Sequence, residues 1–350
     1  MSKSVTLADV ARAAGVAPST VQRALSGLPG VSAEKAQKIR DLSQRMGYPR
    51  TAMASLLKSI GRDIAVILPK PDFYSGELWD GIHQFFAENP AFHFDLHEYT
   101  YFRTPDALAK ALKQVYDEHG TQLCGVITMG EAQPDAQEIY QLWRQAHIPV
   151  VFVGTDSTPA DRICCSLGYD ELAGKMAADL LMLAGKSEHI KVLITGDFSI
   201  ADQFYNMQGF EQAIMQQEIG CEILKYTPGT TTFSVKDTLC SYLEGDPSIT
   251  TVYSTSARNT VSMCEAALEV GRARELRLIG SDLFPQSRQF LKDGVLNAVI
   301  HKLPQKQAYH AAQALVNYLI HGQHPVETLR CCPIVVTRNN AGSIDQIWGS

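Results

Sequence analysis

Residues 6–27, TLADVARAAGVAPSTVQRALSG, decide how this 350-residue chain is read. Leu7, Val10, Ala11 and Ala14 recur at helical spacing behind Thr6, a residue type that caps helix N-termini. Gly15 ends that helix, because the turn after it favours a residue that tolerates positive φ. Pro18 opens a second helix where its missing N–H costs nothing, and Val21, Ala24 and Leu25 share the inner face. A third helix is predicted from the Ser32 cap through Ile39, Leu42 and Met46 to Gly47. Three short helices with a glycine turn between the first two form a helix-turn-helix unit, whose second helix enters the major groove of DNA.

Charge agrees with that reading. Residues 1–62 hold ten Lys/Arg against three acids, a net +7; the whole chain is −6, so the remainder carries −13. A small basic head on an acidic body is the footprint of a polyanion-binding module joined to something else. A solvated basic helix face is the plainer alternative, but it does not explain a sign change at a domain boundary. On the second helix Ser19, Gln22 and Arg23 are candidates for base edges. Arg23 leads, because a guanidinium forks onto guanine. Pro18 has no donor and offers apolar contact, while Thr6, Thr20 and Tyr48 suit phosphates.

The quoted stretch, followed by GVSAEKAQKIRDLSQRMGY, resembles the head of the LacI family of bacterial repressors. The family usually has Ser at the positions of Ala17 and Gln22, departures that bear on operator sequence. Residues 49–58, PRTAMASLLK, resemble the family's hinge, with Arg50 and Ala54 replacing its usual Asn and Arg. The resemblance implies a hinge that folds on operator and inserts leucines into the minor groove. Leu56 falls at the lever position and Met53 lies beside it. Such wedging kinks DNA in exchange for new contacts; a passive tether is the alternative.

From residue 63 short apolar runs alternate with amphipathic stretches. Strands are predicted at 64–69, 93–99, 124–130, 149–154, 191–196, 251–254 and 276–282. Helices are predicted at 76–88, 104–119, 134–146, 170–185, 202–218 and 258–270. The rhythm is a βαβ series, so parallel sheets covered on both faces. About 290 residues exceed one comfortable core, which predicts two α/β lobes. The expected organisation is a helix-turn-helix domain at 1–48, a hinge at 49–62 and an effector-binding and dimerisation body at 63–350. Lobe 1 is expected at about 63–165 and 296–328, lobe 2 at about 166–295 and 329–350.

The body resembles the type I periplasmic sugar-binding fold that the LacI family carries as a sensor. That resemblance implies a sugar-like effector held between the lobes at the strand carboxyl ends, where open α/β sheets bind ligands. Phe73 and Tyr74, after the first strand, would stack on a sugar ring. Asp282, in LIGSD, matches the family's recurrent Gly-x-Asp. Asn206 stands where many relatives have Arg, Ser256 where they have Asn, and Lys302 where Gln is common. Each of these also fits a surface or capping role. Loss of an acid at Ala257 and gain of Lys302 suggest an acidic or phosphorylated sugar as effector, since an ammonium suits phosphate.

Much is excluded. No P-loop, Gly-x-Ser-x-Gly elbow, His-Glu-x-x-His or dinucleotide fingerprint occurs, and ten histidines lack ligand spacing, so no catalytic residue, metal or cofactor is expected. An α/β enzyme fused to a DNA-binding head and a plain sugar-binding protein are the alternatives. Eight cysteines, including the neighbours Cys164–Cys165 and Cys331–Cys332, read as reduced structural thiols. The first residues lack an export h-region and no apolar run spans a membrane, which predicts a cytoplasmic chain. The resemblance implies a homodimer on a pseudopalindromic double-stranded operator. A tetramer is the alternative, although the C-terminal tail shows no heptads.

Overall fold

The computed structural model describes residues 7–25, 30–46, 62–104, 106–158, 161–183, 190–216, 220–228 and 234–344. The head is three helices, α1 (Leu7–Ala14), α2 (Pro18–Leu25) and α3 (Ala33–Arg45). Val10, Ala11, Val21, Ala24, Ala36 and Ile39 form its core. These are small side chains, so the core is small too. Gly15 takes φ +64° at the turn between α1 and α2, as the sequence requires.

Past the head the chain divides into two compact units. The first takes the residues up to Leu167 together with Gln305–Leu329; the second takes Gly168–Pro304 and the residues from Arg330 onward. Each holds one six-stranded sheet.

The first sheet contains β1 (Asp63–Pro69), β2 (Asp95–Tyr101), β3 (Gly125–Thr128), β4 (Val150–Val153), β5 (Cys164–Gly168) and β11 (Thr328–Cys331). Their order is β11-β5-β4-β3-β1-β2. The pairings among β1 to β5 are parallel. Covering helices are α4 (Ser75–Glu88), α5 (Ala107–His119) and α6 (Pro134–Gln145). Ile64–Leu68 are fully buried. Such an unbroken apolar run is what a strand covered on both faces needs.

The second sheet is β12-β10-β9-β8-β6-β7. Its strands are β6 (Ile190–Thr195), β7 (Cys221–Tyr226), β8 (Thr251–Ser254), β9 (Arg277–Ser281), β10 (Ala298–His301) and β12 (Ile334–Thr337). All its pairings are parallel except β10 with β12. Helices α7 (Asp170–Leu183), α8 (Ala201–Gln216), α9 (Val235–Gly245), α10 (Ala257–Glu269) and α11 (Pro285–Asp293) belong to this unit. Helix α12 (Pro304–His321) returns the chain to the first.

The expected lobe boundary at 296 is corrected. Residues 296–304 fall in the second unit, because β10 hydrogen-bonds between β9 and β12 and cannot leave that sheet. The other two crossings lie at 167/168 and 329/330. In both sheets the order reverses once, between β1 and β3 and between β6 and β8. A crevice forms beyond the strand carboxyl ends at such a reversal.

Candidate functional site

On the head, Pro18, Ser19 and Arg23 are exposed and Thr20 is half-buried. Ser19 and Arg23 are four residues apart on one helix, so they share a face. Val21 and Ala24 on the opposite face are buried. The Arg40 guanidinium of α3 donates to the Ala24 carbonyl at 3.1 Å, closing the C-terminal end of α2. Thr6, Tyr48, Met53, Leu56 and the Gln22 side chain lie outside the described residues.

In the first unit, Phe73 and Tyr74 lie just beyond the carboxyl end of β1, both half-buried. Asp72 organises this turn: one carboxylate oxygen accepts from Tyr74 N (3.0 Å), Ser75 N (2.8 Å) and Ser75 Oγ (2.7 Å). Partial burial pushes the Asp72 carboxyl up, but these bonds and nearby Arg103 outweigh it, and its pKa is lowered. Tyr74 Oη donates to Gln307 Oε1 at 3.2 Å. The Tyr74 phenol lies against Gly154, where an added Cβ would sit 3.1 Å from its oxygen.

The second unit gathers charge at its strand ends. Asp282 follows β9 with φ +63°, a left-handed conformation that Asp tolerates better than most residues, and is 1% exposed. Its carboxylate accepts from Lys302 N at 3.0 Å and lies 3.4 Å from Lys302 Nζ and 3.6 Å from His301 Nδ1. Burial alone would raise its pKa; the Lys302 ammonium and the His301 contact reverse that, and the net shift is downward. Lys302 Nζ also lies 3.8 Å from Asp202, and its side chain is 5% exposed. Leu303, the next residue, has φ +58°. Left-handed backbone at a bulky residue stores strain, a habit of ligand sites and switch regions.

Asn206 lies one helical turn beyond Asp202 and is fully buried. Its Oδ1 accepts a short hydrogen bond from Tyr253 Oη. Its Nδ2 is buried without a hydrogen-bond partner among the described residues. Tyr253 stacks on Phe210 at 5.3 Å, which fixes its ring. Asp170, the first residue of α7, completes the group. Burial pushes its carboxyl up to about 7, with Lys302 and Arg330 pulling down and Asp202 and Asp282 pushing up.

Two glycines make this gathering possible. A Cβ at Gly174 would sit 1.8 Å from the Asn206 carbonyl oxygen, and one at Gly209 would sit 2.0 Å from that of Glu171. Helices α7 and α8 therefore touch backbone to backbone, which brings Asp170 toward the face that carries Asp202 and Asn206.

Asp282 and Lys302 thus lie side by side, while Asn206 bonds to Tyr253. Ser256 is an N-cap: its Oγ accepts from Asn259 N at 3.2 Å, the capping role also open at the sequence level. Lys302 was expected to greet an acidic or phosphorylated ligand, but its ammonium faces Asp282 and Asp202. Sequence reasoning missed Asp170, Asp202 and Tyr253. An acid in the first turn of a helix reads as ordinary dipole compensation, so Asp170 and Asp202 gave no separate signal.

Comparison with known proteins agrees with both parts. The profile for bacterial regulatory proteins of the lacI family matches residues 6–50, and that for the periplasmic binding protein domain matches residues 64–323. The chain belongs to the periplasmic binding protein domain family and carries a lacI-family regulatory head. Among curated relatives, catabolite control protein A of Staphylococcus aureus is 26% identical over 60% of this chain and 61% of its own length. The HTH-type transcriptional regulator pepR1 of Lactobacillus delbrueckii is 29% identical over 63% of this chain and 64% of its own. The matched stretch thus spans less than two thirds of either relative. A LacI transcriptional regulator from Bacteroides fragilis shares the body fold, with TM-score 0.69, 18% identity, and coverage of 80% of this chain and 98% of that one. So does a solute binding protein from Actinobacillus succinogenes solved with D-allose, with TM-score 0.71, 15% identity, and coverage of 81% and 100%. No helix among the described residues is long and apolar enough to cross a membrane.

Proposed function

We propose that this LacI-family chain is a cytoplasmic, non-enzymatic repressor of carbohydrate uptake or catabolism. It reads a pseudopalindromic operator as a homodimer. Ser19, Gln22 and Arg23 meet base edges, Pro18 supplies apolar contact, and Thr6, Thr20 and Tyr48 hold phosphates, while Met53 and Leu56 enter the minor groove. A sugar-like effector binds at strand carboxyl ends: in the second unit Asp282, Lys302 and Asn206 are its candidate contacts, and in the first unit Phe73 and Tyr74 offer aromatic surface. Ser256 contributes chiefly by capping α10.

The carrying observation is one chain that joins a basic helix-turn-helix head to a body whose sheet ends in a buried charged cluster. Buried carboxylates and lysines are rare away from functional sites, because desolvating charge is costly. The allose-bound protein that shares the body fold supports a sugar as ligand class. Asp170 begins two residues past one chain crossing, Lys302 precedes the second by two, and Arg330 adjoins the third. A ligand that rearranges these charges therefore acts on residues close in sequence to the chain crossings. It shifts operator affinity only by its differential affinity for two states.

The test is selection of binding sites from random duplex DNA by the full-length protein, followed by titration with sugars. Enrichment of a pseudopalindrome whose affinity changes with one sugar is the expected result. A selected pool without two-fold symmetry, or affinity indifferent to every sugar, refutes the proposal.

A further inference from the structure

Helix α2 of the head is eight residues long, and the last carbonyls of a helix have no partner within it. A helix of two turns holds its shape by tertiary contact rather than by propensity. One of those carbonyls, on Ala24, accepts from Arg40 Nη1 of α3 at 3.1 Å. A guanidinium there also meets the negative end of the helix dipole. Arg40 is itself fixed from its own helix. Its Nε and Nη2 donate to Gln37 Oε1 at 3.3 and 3.1 Å, and Gln37 Nε2 donates to Asp41 Oδ1 at 2.9 Å. The Asp41 bond settles which way the Gln37 amide faces, since a carboxylate accepts only from its NH2 end. Ala24 follows Arg23 in the chain, so the held carbonyl adjoins the candidate base reader. Arg23 has a second support. A Cβ added at Gly30 would lie 2.7 Å from Arg23 Nη1, so the guanidinium passes across bare backbone ahead of α3. Gly30 has φ +108°, a conformation open to glycine and costly for other residues.

We propose that Arg40 and Gly30 are positioning residues for operator discrimination, which aim Arg23 and touch no base themselves. This rests on reading Arg23 as the guanine contact. A bidentate fork is sensitive to angle, because two N–H groups must meet O6 and N7 together. Loosening the end of α2 turns the fork away from guanine. Phosphate contacts carry no sequence information and survive the same small rotation. A side chain at residue 30 displaces the guanidinium sideways, with the same consequence. Arg40 therefore adds its charge to the basic head without adding a phosphate contact.

The experiment measures binding of the full-length protein to its selected operator and to a scrambled duplex, by fluorescence anisotropy over a range of salt concentrations. Arg40→Ala and Gly30→Ala should each lower the ratio of operator to scrambled affinity about tenfold. The salt dependence should keep its wild-type slope. On an Arg23→Ala background neither substitution should change the ratio by more than about twofold, because both act through Arg23. A head that is merely less stable weakens both duplexes in proportion and leaves the ratio unmoved; that result overturns the inference. So does a slope reduced by about 0.9 in Arg40→Ala, which makes Arg40 a phosphate contact. Further loss of discrimination on the Arg23→Ala background overturns it as well. An Arg23→Ala variant that keeps the wild-type ratio refutes the base reading, and the inference falls with it.

Discussion

At Asp170 a carboxylate and its surroundings are mismatched, and the mismatch has a sign in pH. Its folded pKa, pushed up to about 7, lies above the roughly 3.9 of an unfolded aspartate. Between those values the native state holds the extra proton, so stability falls as pH rises from about 4 to about 7. The charges acting on it are Lys302, Arg330, Asp202 and Asp282. Asp170→Asn should therefore flatten the decline of melting temperature over that range in unliganded protein; parallel curves for the two proteins contradict the assignment. On the head, Arg23 is exposed on the face it shares with Ser19. Arg23→Ala should cost roughly 1–3 kcal/mol of operator binding and blur one base-pair position. Loss of affinity that is uniform across operator variants would make Arg23 a phosphate contact instead.

At the scale of elements, the contact of α7 with α8 helps to set the charged cluster, and it depends on missing side chains. A methyl at Gly209 would meet the Glu171 carbonyl at 2.0 Å, a backbone atom that cannot swing away. Gly209→Ala should thus push the helices apart and cost about 1–3 kcal/mol in urea unfolding. Ala at Gly245, which has open space around its Cβ position, should not. The elements also show what sequence can disclose. All seven predicted strands and all six predicted body helices occur, with shifted ends, because apolar runs and 3.6-residue spacing are strong local signals. The missed strands β5, β7, β10, β11 and β12 are short, and most lack such a run. CCSLG and TLRC mix polar and apolar residues, and CEILKY in the edge strand β7 is only partly buried. Such strands owe their state to sheet partners distant in sequence. The cluster was legible in part for the same reason. Asp282 stands out after an apolar strand, whereas Asp170 gains meaning only once two glycines bring α7 against α8.

Across the whole molecule, charge and core size divide the labour. Among the described residues the head's core is Val10, Ala11, Val21, Ala24, Ala36 and Ile39. The first unit's body alone buries Trp79, Phe85, Tyr140, Trp143 and Phe152 together with many aliphatics. Burial scales with size, so the body should fold without the head, while the head has little stability to lend. The head also holds the net +7 and the remainder −13. Attraction to phosphates belongs to the first 62 residues, and the acidic body repels the same backbone. Removing residues 1–62 should abolish DNA binding at every salt concentration yet preserve the thermal shift that a bound effector gives. In the intact chain, log affinity should fall linearly with log salt, at about 0.9 per phosphate neutralised. A truncated body that loses its effector response would mean that the two functions share one folding unit. Residual salt-dependent DNA binding by the body would place basic contacts beyond the head, against the charge division that the sequence draws at residue 62.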